Sequence, residues 1–361
     1  MINVINSHTS FCLKEESKMK EYKILKDLIK FNTIKDKEND KIIVYIEKYL
    51  KGLGFKTEYK TKNLIMSIGE QEKIGFLGHT DTVEYIQRWN SNPFELTKVD
   101  NKLYGLGTCD MKGGIAAMLD AVSKIDFNKL KYGMKMYFTY DEEINFGGIK
   151  ELIDMNCKFP GLMIFGEPTN NEILTGSKGI LEYELEFVGK KAHSSNPEKG
   201  VSANLNAISF LSELVEFYEN NIKPIKVNEY DIPYTTMNVG LINGGSAVNS
   251  IPANCKVSLD FRIADNKHIE LLKSKIEELS STYKCNANIL QCIEPFINKT
   301  NLIDSVKTAN FITEASFINN TTKIILGTGP VTAHEVNEYI TEESYNTLVE
   351  QYKKIIKDLC T

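Results

Sequence analysis

Three polar clusters in this chain sit just after apolar, strand-like runs, the place where side chains leave a sheet and line a cleft. In the first, Phe76-Leu77-Gly78-His79-Thr80-Asp81 sets a histidine and an aspartate two apart, hence on one face of an extended segment. Asp81 can accept one ring N–H of His79 while the other ring nitrogen binds a metal, which fixes the tautomer of the ligand. In the second, Gly105-Leu106-Gly107-Thr108-Cys109-Asp110 places Asp110 immediately before a small-residue helix. The third is Asp141-Glu142-Glu143 at a strand end. Adjacent carboxylates leaving an extended backbone point apart, so one can bind a metal while its neighbour holds a proton. Gly166-Glu167-Pro168-Thr169 and Ala333-His334-Glu335 add one more carboxylate and a second histidine. Taken singly, each cluster has an ordinary reading: a hydrogen-bonded pair, a helix cap, a solvated turn. Together they supply donors that suit two divalent ions, zinc first. If Asp110, Glu143 and Glu167 are ligands beside neutral His79 and His334, two dications and one hydroxide balance the three carboxylates, whereas a single zinc leaves excess negative charge.

The elements that must position these residues follow from hydrophobic period. Tyr22, Leu25, Leu28 and Ile29 open a helical pattern, and Val44, Ile46, Leu50 and Leu53 a second one ending near Gly52 or Gly54. Strand-like runs cover 56–59, 64–68 and 73–77, followed by a loop-rich stretch with Trp89, Pro93 and Gly105. A helix over 112–124, a strand over 134–140, a helix near 147–155 and a strand over 162–165 continue the alternation, which argues for an α/β layered domain with much parallel pairing. Between about 173 and 292 the order becomes strand, helix, two strands, helix, strand. That β-α-β-β-α-β unit is the sign of a small separate α+β domain. A helix over 302–313, a strand over 323–326 and an amphipathic helix over 342–358 resume the earlier style. The expected layout is a tail over 1–18, with Met19 as the natural start, a catalytic domain over 19–174 and 293–361, and an insertion over 175–292.

At 361 residues the chain has room for about two domains, and 42% hydrophobic with 25% charged residues is globular composition. A net charge of -5 with no basic patch argues against nucleic acid. No apolar run is long enough to span a bilayer, and the first twenty residues lack the core of a signal peptide. Seven scattered cysteines without a CxxC suggest neither a disulfide framework nor a cysteine zinc site, which fits a reduced cytoplasmic protein.

The ordered set GHTDTV, YGLGTCDMKGG, DEE, GEPT and AHEVNEYI resembles the di-zinc aminoacylase and carboxypeptidase family, from about Met19 to the C-terminus. That family contains acetylornithine deacetylases, succinyl-diaminopimelate desuccinylases and several dipeptidases. The resemblance implies that Asp110 bridges both metals, that His79 and Glu167 complete one site and Glu143 and His334 the other, and that Glu142 is the general base. It also implies a zinc-binding α/β domain with an inserted lid domain that often mediates dimers. The segments KAHSS and PEKGVSA match the family segment whose histidine reaches the reacting carbonyl, commonly from the partner subunit, which makes His193 the oxyanion donor. Arg262 offers two parallel donors to a substrate α-carboxylate, with Asn249 as a partner in that grip, or else forms a salt bridge within the insertion. His8 and His268 have no such context and read as structural or incidental.

The implied reaction is metal-assisted hydrolysis of the amide of a small N-acyl amino acid, with cobalt or manganese also accepted by this donor set. Three features lean toward the acetylornithine deacetylases: His193-Ser194-Ser195 with the following Pro-x-x-Gly, the strand at 235–240, and 313–317 shortly before the last histidine. The chain departs from that branch at Gly327-Thr328-Gly329-Pro330, where the branch has Gly-Pro-Gly in a loop bordering the substrate carboxylate, so a desuccinylase or dipeptidase is the alternative. A non-catalytic relative would have lost a ligand or the base, and all are present. A single-metal protease is disfavoured because no HExxH occurs.

Overall fold

Apolar residues at helical spacing build the first two elements. α1 (Lys23–Ile29) buries Ile24, Leu25, Leu28 and Ile29, and α2 (Asn39–Gly52) buries Ile42, Ile43, Ile46 and Leu50. The computed structural model describes residues 22–361 except 87, 299 and 301–305, so the expected tail, His8, Cys12 and Met19 lie outside the described residues. β1 (Lys56–Lys60), β2 (Leu64–Ile68) and β3 (Ile74–His79) follow. Two strands of three residues each, β4 (Thr97–Val99) and β5 (Lys102–Tyr104), lie in the stretch read from sequence as loop; runs this short leave no alternation to read. α3 (Lys112–Ser123), β6 (Met134–Thr139), α4 (Glu142–Asn145), α5 (Gly147–Asp154) and β7 (Leu162–Phe165) complete this segment.

The next unit, Thr175–Ser316, is compact by itself. It holds β8 (Gly176–Ser177), β9 (Gly179–Val188), β10 (Ala192–His193), α6 (Ala203–Phe217), β11 (Thr236–Gly244), β12 (Ser250–Ile251), β13 (Asn254–Ile263), α7 (Asn266–Tyr283), β14 (Cys285–Ile293), β15 (Phe296–Ile297) and β16 (Thr308–Ala309). Its main sheet is antiparallel in the order β11-β13-β9-β14. β9 and β13 bury alternate residues, and Leu181, Leu185, Phe187, Val257, Leu259 and Phe261 share one core with Phe210 and Leu214 of α6 and Leu272 and Ile276 of α7. Both helices start on a capping side chain: Ser202 accepts the Leu205 N–H, and Asp265 that of Lys267. The unit runs on past the Cys292 read from sequence because β15 and β16 pair with β8 in a three-stranded sheet. Within 306–313 the expected helix is absent: the chain forms β16 and a bend there, while 301–305 lie outside the described residues.

The chain then returns with β17 (Thr322–Ile325), β18 (Tyr339–Thr341) and α8 (Glu342–Cys360), which belong with the residues up to Leu174. This first unit is built on a six-stranded sheet in the order β1-β2-β6-β3-β7-β17. β1, β2 and β6 pair antiparallel, whereas β6, β3, β7 and β17 run parallel. All six residues of β3 are buried, as a central parallel strand covered on both faces requires. α8, capped by Thr341, packs against α3 and buries Tyr345, Leu348, Tyr352 and Ile356.

Close approach of α3 to the sheet depends on missing side chains, Gly114 among them. A Cβ on Gly114 would lie 2.2 Å from the carbonyl oxygen of Gly166, just beyond β7. Gly114→Ala is therefore expected to destabilise the protein by about 1–3 kcal/mol, the usual cost of overpacking. Chemical denaturation reads this as a lower midpoint at unchanged slope. A wild-type midpoint would show that the helix can step back freely.

Candidate metal centre

The carboxyl ends of three adjacent parallel strands deliver most of the polar cluster, the usual place for a ligand in a sheet of this kind. β3 ends on His79, β6 leads into Asp141-Glu142-Glu143, and β7 leads into Glu167. Asp110 comes from the loop before α3, and His334 from the segment between β17 and β18. His79 is fully buried, and its Nε2 lies 3.1 Å from Asp110 Oδ1 and 3.8 Å from Glu167 Oε2. His334 Nε2 lies 3.0 Å from Glu143 Oε2 and 3.5 Å from Asp110 Oδ2. The two oxygens of Asp110 thus face different histidines. The five residues form two groups, His79-Asp110-Glu167 and Asp110-Glu143-His334, each with its donor atoms within 4.8 Å of one another.

Two imidazoles and three carboxylates, one shared, are donors of the kind that could hold a pair of divalent ions. Glu143 fits a ligand role in a second way: its Oε1 is buried without a hydrogen-bond partner. A buried carboxylate oxygen of this kind is costly unless a cation meets it.

Two local details differ from the sequence reading. The backbone at Glu142 and Glu143 is a turn of helix, not extended, because Asp141 and Phe146 on either side of α4 both adopt left-handed φ of 56°. Asp81 holds His79 mainly through its main chain: the carbonyl lies 3.1 Å from Nδ1, the carboxylate oxygen Oδ1 3.5 Å. Its other oxygen accepts the Glu143 N–H at 3.1 Å, because the first N–H groups of a helical turn have no partner of their own. Asp81 therefore steadies a histidine and the acidic turn together.

Sequence reasoning passed over two buried charges nearby. Glu338 accepts the backbone N–H groups of Gly107, Cys109 and Asp110. Burial works against its charge, and those three bonds, which occupy both oxygens, favour the ionised form. Lys112, wholly buried, donates to the Phe31 carbonyl at 2.8 Å; burial lowers it to about 7 against the pull of Glu338 and Asp81. Glu338 stands within the AHEVNEYI string, yet nothing in its spacing marks a side chain that bonds a loop more than two hundred residues away.

Gly329 belongs to the first unit, where a Cβ would overlap Asn170, and its N–H donates to Ser344 Oγ at 2.7 Å. A cavity of about 120 Å³ opens beside His334, walled by Tyr85, Ile86, Trp89 and Leu106 with Glu84 and Glu335. His193, Asn249 and Arg262 lie in the second unit. β10 pairs with β12, so His193 stands opposite Ser250, and the Asn249 carbonyl accepts the Ser194 N–H at 3.0 Å. The Ser195 N–H donates to His193 Nδ1 at 3.2 Å, which puts the proton of a neutral ring on Nε2. Arg262 bonds Asp260 through NH2 at 3.1 Å and Nε at 3.2 Å, the salt bridge within the insertion. His268 is buried at the start of α7, 2.7 Å from Thr235 Oγ1, a structural position.

Comparison with known proteins gives a consistent pattern. The model of peptidase family M20/M25/M40 matches residues 75–358. An acetylornithine deacetylase of Pasteurella multocida is 33% identical over 364 aligned positions, covering 90% of this chain and 93% of that one. Among solved structures, a tripeptidase from Staphylococcus aureus superposes with a TM-score of 0.76 at 23% identity, covering 93% of this chain and 96% of that one. A dinuclear metal-binding M20 peptidase from Bacillus subtilis gives 0.69 at 12% identity, covering 93% and 97%. At these identities the structural likeness speaks for the fold alone.

Without a cation the charges of the cluster face only one another. Burial works against the charge on Asp110, but bonds from His334 and His79 hold its carboxyl below the ordinary range. Burial likewise disfavours a charged His79, yet Glu167, Asp110 and Asp81 raise it well above the usual imidazole value. Asp110 and Glu143 push His334 up to about 10. His334 therefore carries a proton at pH 7 in the metal-free protein and must lose it to become a ligand, and the shift of His79 is in the same direction. Metal uptake at pH 7 is expected to release roughly one to two protons per chain, and affinity to rise with pH. Calorimetric titration of metal-free protein in buffers of different ionisation enthalpy measures the release. Identical heats in all buffers would show that the rings are already neutral.

Proposed function

The chain belongs to peptidase family M20/M25/M40 and is a metal-dependent hydrolase, and on that premise we propose that it cleaves the amide of an N-acyl amino acid, N-acetylornithine first. The observation that carries this reading is Asp110, whose two oxygens face the histidines of two separate donor groups. His79, Asp110 and Glu167 would hold one cation and Asp110, Glu143 and His334 the other, with zinc the first choice and cobalt or manganese compatible with the same donors. When bound, the two ions supply the positive charge that polarises an amide carbonyl and acidifies a water.

Glu142 performs the proton transfers. It is not a member of either donor group, and burial raises its carboxyl well above the usual range, opposed by His79 and reinforced by Glu167, Glu143 and Asp110. A raised carboxyl is a better base once ionised and can hold the proton until the amine departs, so one residue takes it from water and returns it to the leaving group. His193, with its proton on Nε2, is the donor to the carbonyl oxygen as negative charge develops there. Arg262 exchanges Asp260 for the substrate carboxylate, assisted by Asn249, and the Gly329 loop borders that group. The cavity beside His334 sets Val83, Ile86, Leu106 and Val336 next to Glu84 and Glu335, a lining suited to an aliphatic side chain that ends in an ammonium.

The relatives that act on acetylornithine support a place in arginine synthesis. A cytoplasmic setting agrees with the six described cysteines, all free. No described helix is long and apolar enough to cross a membrane. The second unit presents a surface for a second copy of the chain: β11 is an edge strand with Leu241 and Ile242 more than half exposed, and Leu205 and Ile208 of α6 are exposed likewise.

Glu142→Gln is expected to retain fold and metal while losing roughly three or more orders of magnitude in turnover, in line with loss of a general base together with its acid role. Amine release from N-acetylornithine, other N-acetyl amino acids, N-succinyl-diaminopimelate and dipeptides tests the substrate at the same time. Turnover of the variant at the wild-type rate would remove Glu142 from the mechanism, and preference for a dipeptide or the succinyl compound would reassign the substrate. Light scattering is expected to give a dimer, and Leu241→Lys with Ile242→Lys a monomer; a monomeric wild type would sink the interface.

A further inference from the structure

One buried carboxylate beside the cluster belongs to neither donor group. Glu338 is 2% exposed, and its two oxygens receive three backbone N–H groups: Oε2 from Gly107 at 2.8 Å, Oε1 from Cys109 at 2.6 Å and Asp110 at 3.0 Å. The Thr108 N–H turns back to the Gly105 carbonyl, so every N–H from 107 to 110 is accounted for. This loop has no helix or strand partners for those groups, and leaving them buried and unmet would be costly. A carboxylate is the one side chain that accepts on both oxygens; an amide would turn an NH2 against one of these donors.

The same residue ties together the two segments that carry Asp110 and His334. Its own carbonyl accepts the Gly105 N–H at 3.2 Å. Four residues earlier in its segment stands His334, whose ring faces Asp110 Oδ2, and Thr332 and Pro330 both bond Cys109 Sγ at 3.4 Å.

We propose that Glu338 is the positioning residue for Asp110: its carboxylate sets the 107–110 loop so that the two oxygens of Asp110 face the two histidines. The inference rests on the two-cation reading above and assigns Glu338 no contact with a cation. It makes Glu338 comparable to the outer partners that orient the ligands of a metal site, whose loss weakens binding by about 10–100-fold.

The test titrates full-length, metal-free protein with Co²⁺, reading both affinity and the visible absorption of the bound ion. Glu338→Gln is expected to keep the far-UV circular dichroism of the wild type, to bind Co²⁺ about 10–100-fold more weakly and to shift its spectrum. Glu338→Asp keeps two acceptors but is one methylene shorter, and is expected to fall between the two; it decides the matter should the glutamine variant not fold. Tyr137→Phe, which removes a buried bond to the Lys158 carbonyl elsewhere in the same unit, is expected to lower stability without moving the spectrum. Wild-type affinity and spectrum in either Glu338 variant would overturn the proposal, as would an equal loss in Tyr137→Phe. Absence of Co²⁺ binding by the wild type would instead sink the two-cation reading itself.

Discussion

Repulsion among carboxylates is the constraint on which this structure turns. Asp110, Glu142, Glu143 and Glu167 share one cleft, and two like charges 4 Å apart at an effective dielectric of 20 repel by about 4 kcal/mol. No polypeptide gathers such groups without something to hold them there and something to offset their charge. The offset in the metal-free chain is partial: two imidazoles take up protons, and Glu142 and Glu143 are shifted toward their neutral forms. In the proposed two-cation reading, the bound ions would complete it. The cluster is thus costly as a piece of a folded protein and useful as a receptor for positive charge, which is the physical meaning of a preorganised metal site.

Holding the groups in place falls to main chain more than to side-chain packing. Two of the segments that carry candidate ligands contain a non-glycine residue in the left-handed region or lie between two of them: Asp141 and Phe146 bracket the acidic turn, and His334 itself has φ 63°. Each such residue costs of order 1 kcal/mol or more and persists only where its surroundings over-determine it. Those surroundings are visible. Asp81 meets the N–H of Glu143, Glu338 meets three N–H groups before α3, and the closely packed α3 fixes where that loop must end. The buried Lys112, at the first turn of α3, is close enough to Glu338 and Asp81 for their charges to oppose the loss of its own proton on burial. Acidic side chains thus appear in two kinds here, those that face the cleft and those that hold the backbone of the first kind.

That distinction also explains what could be read in one dimension. His79, Asp110, Glu143, Glu167 and His334 each follow an apolar run or precede a small-residue helix, so a period-based reading locates them and the structure brings them together. The inserted unit was equally legible, because β9, α6, β11, β13, α7 and β14 each run nine residues or more with a clear period. Short elements were not: β4 and β5 have three residues each, and 306–313 combines apolar residues at helix-like spacing with a chain path fixed by pairing to β8. Glu142 and Glu143 were found as residues but given the wrong backbone, since a left-handed Asp141 leaves no mark in composition. Glu338 escaped for the same kind of reason: its partners are main-chain groups, which carry no sequence signal at all.

Sharing a fold with a tripeptidase and with a dinuclear metal-binding peptidase at 23% and 12% identity means that the scaffold does not choose the substrate. The ligand cluster does not choose it either, because polarising an amide carbonyl demands the same donors whatever the flanking groups. Choice must come from residues that touch the substrate beyond its scissile bond. In the proposed reading the candidates in the first unit are the walls of the cavity beside His334, which include Glu84 and Glu335, and the Gly329 loop, which packs closely on Asn170. Both lie in irregular segments adjoining rigid ligand-bearing ones. On that reading, changes at 83–86 or 327–333 would alter what is cleaved while His79, Asp110, Glu143 and Glu167 stay attached to the sheet and to α3. His334 is the exception: it stands in the same irregular segment as the cavity wall, held there by Glu143 at 3.0 Å, while Glu338 from that segment bonds the Asp110 loop.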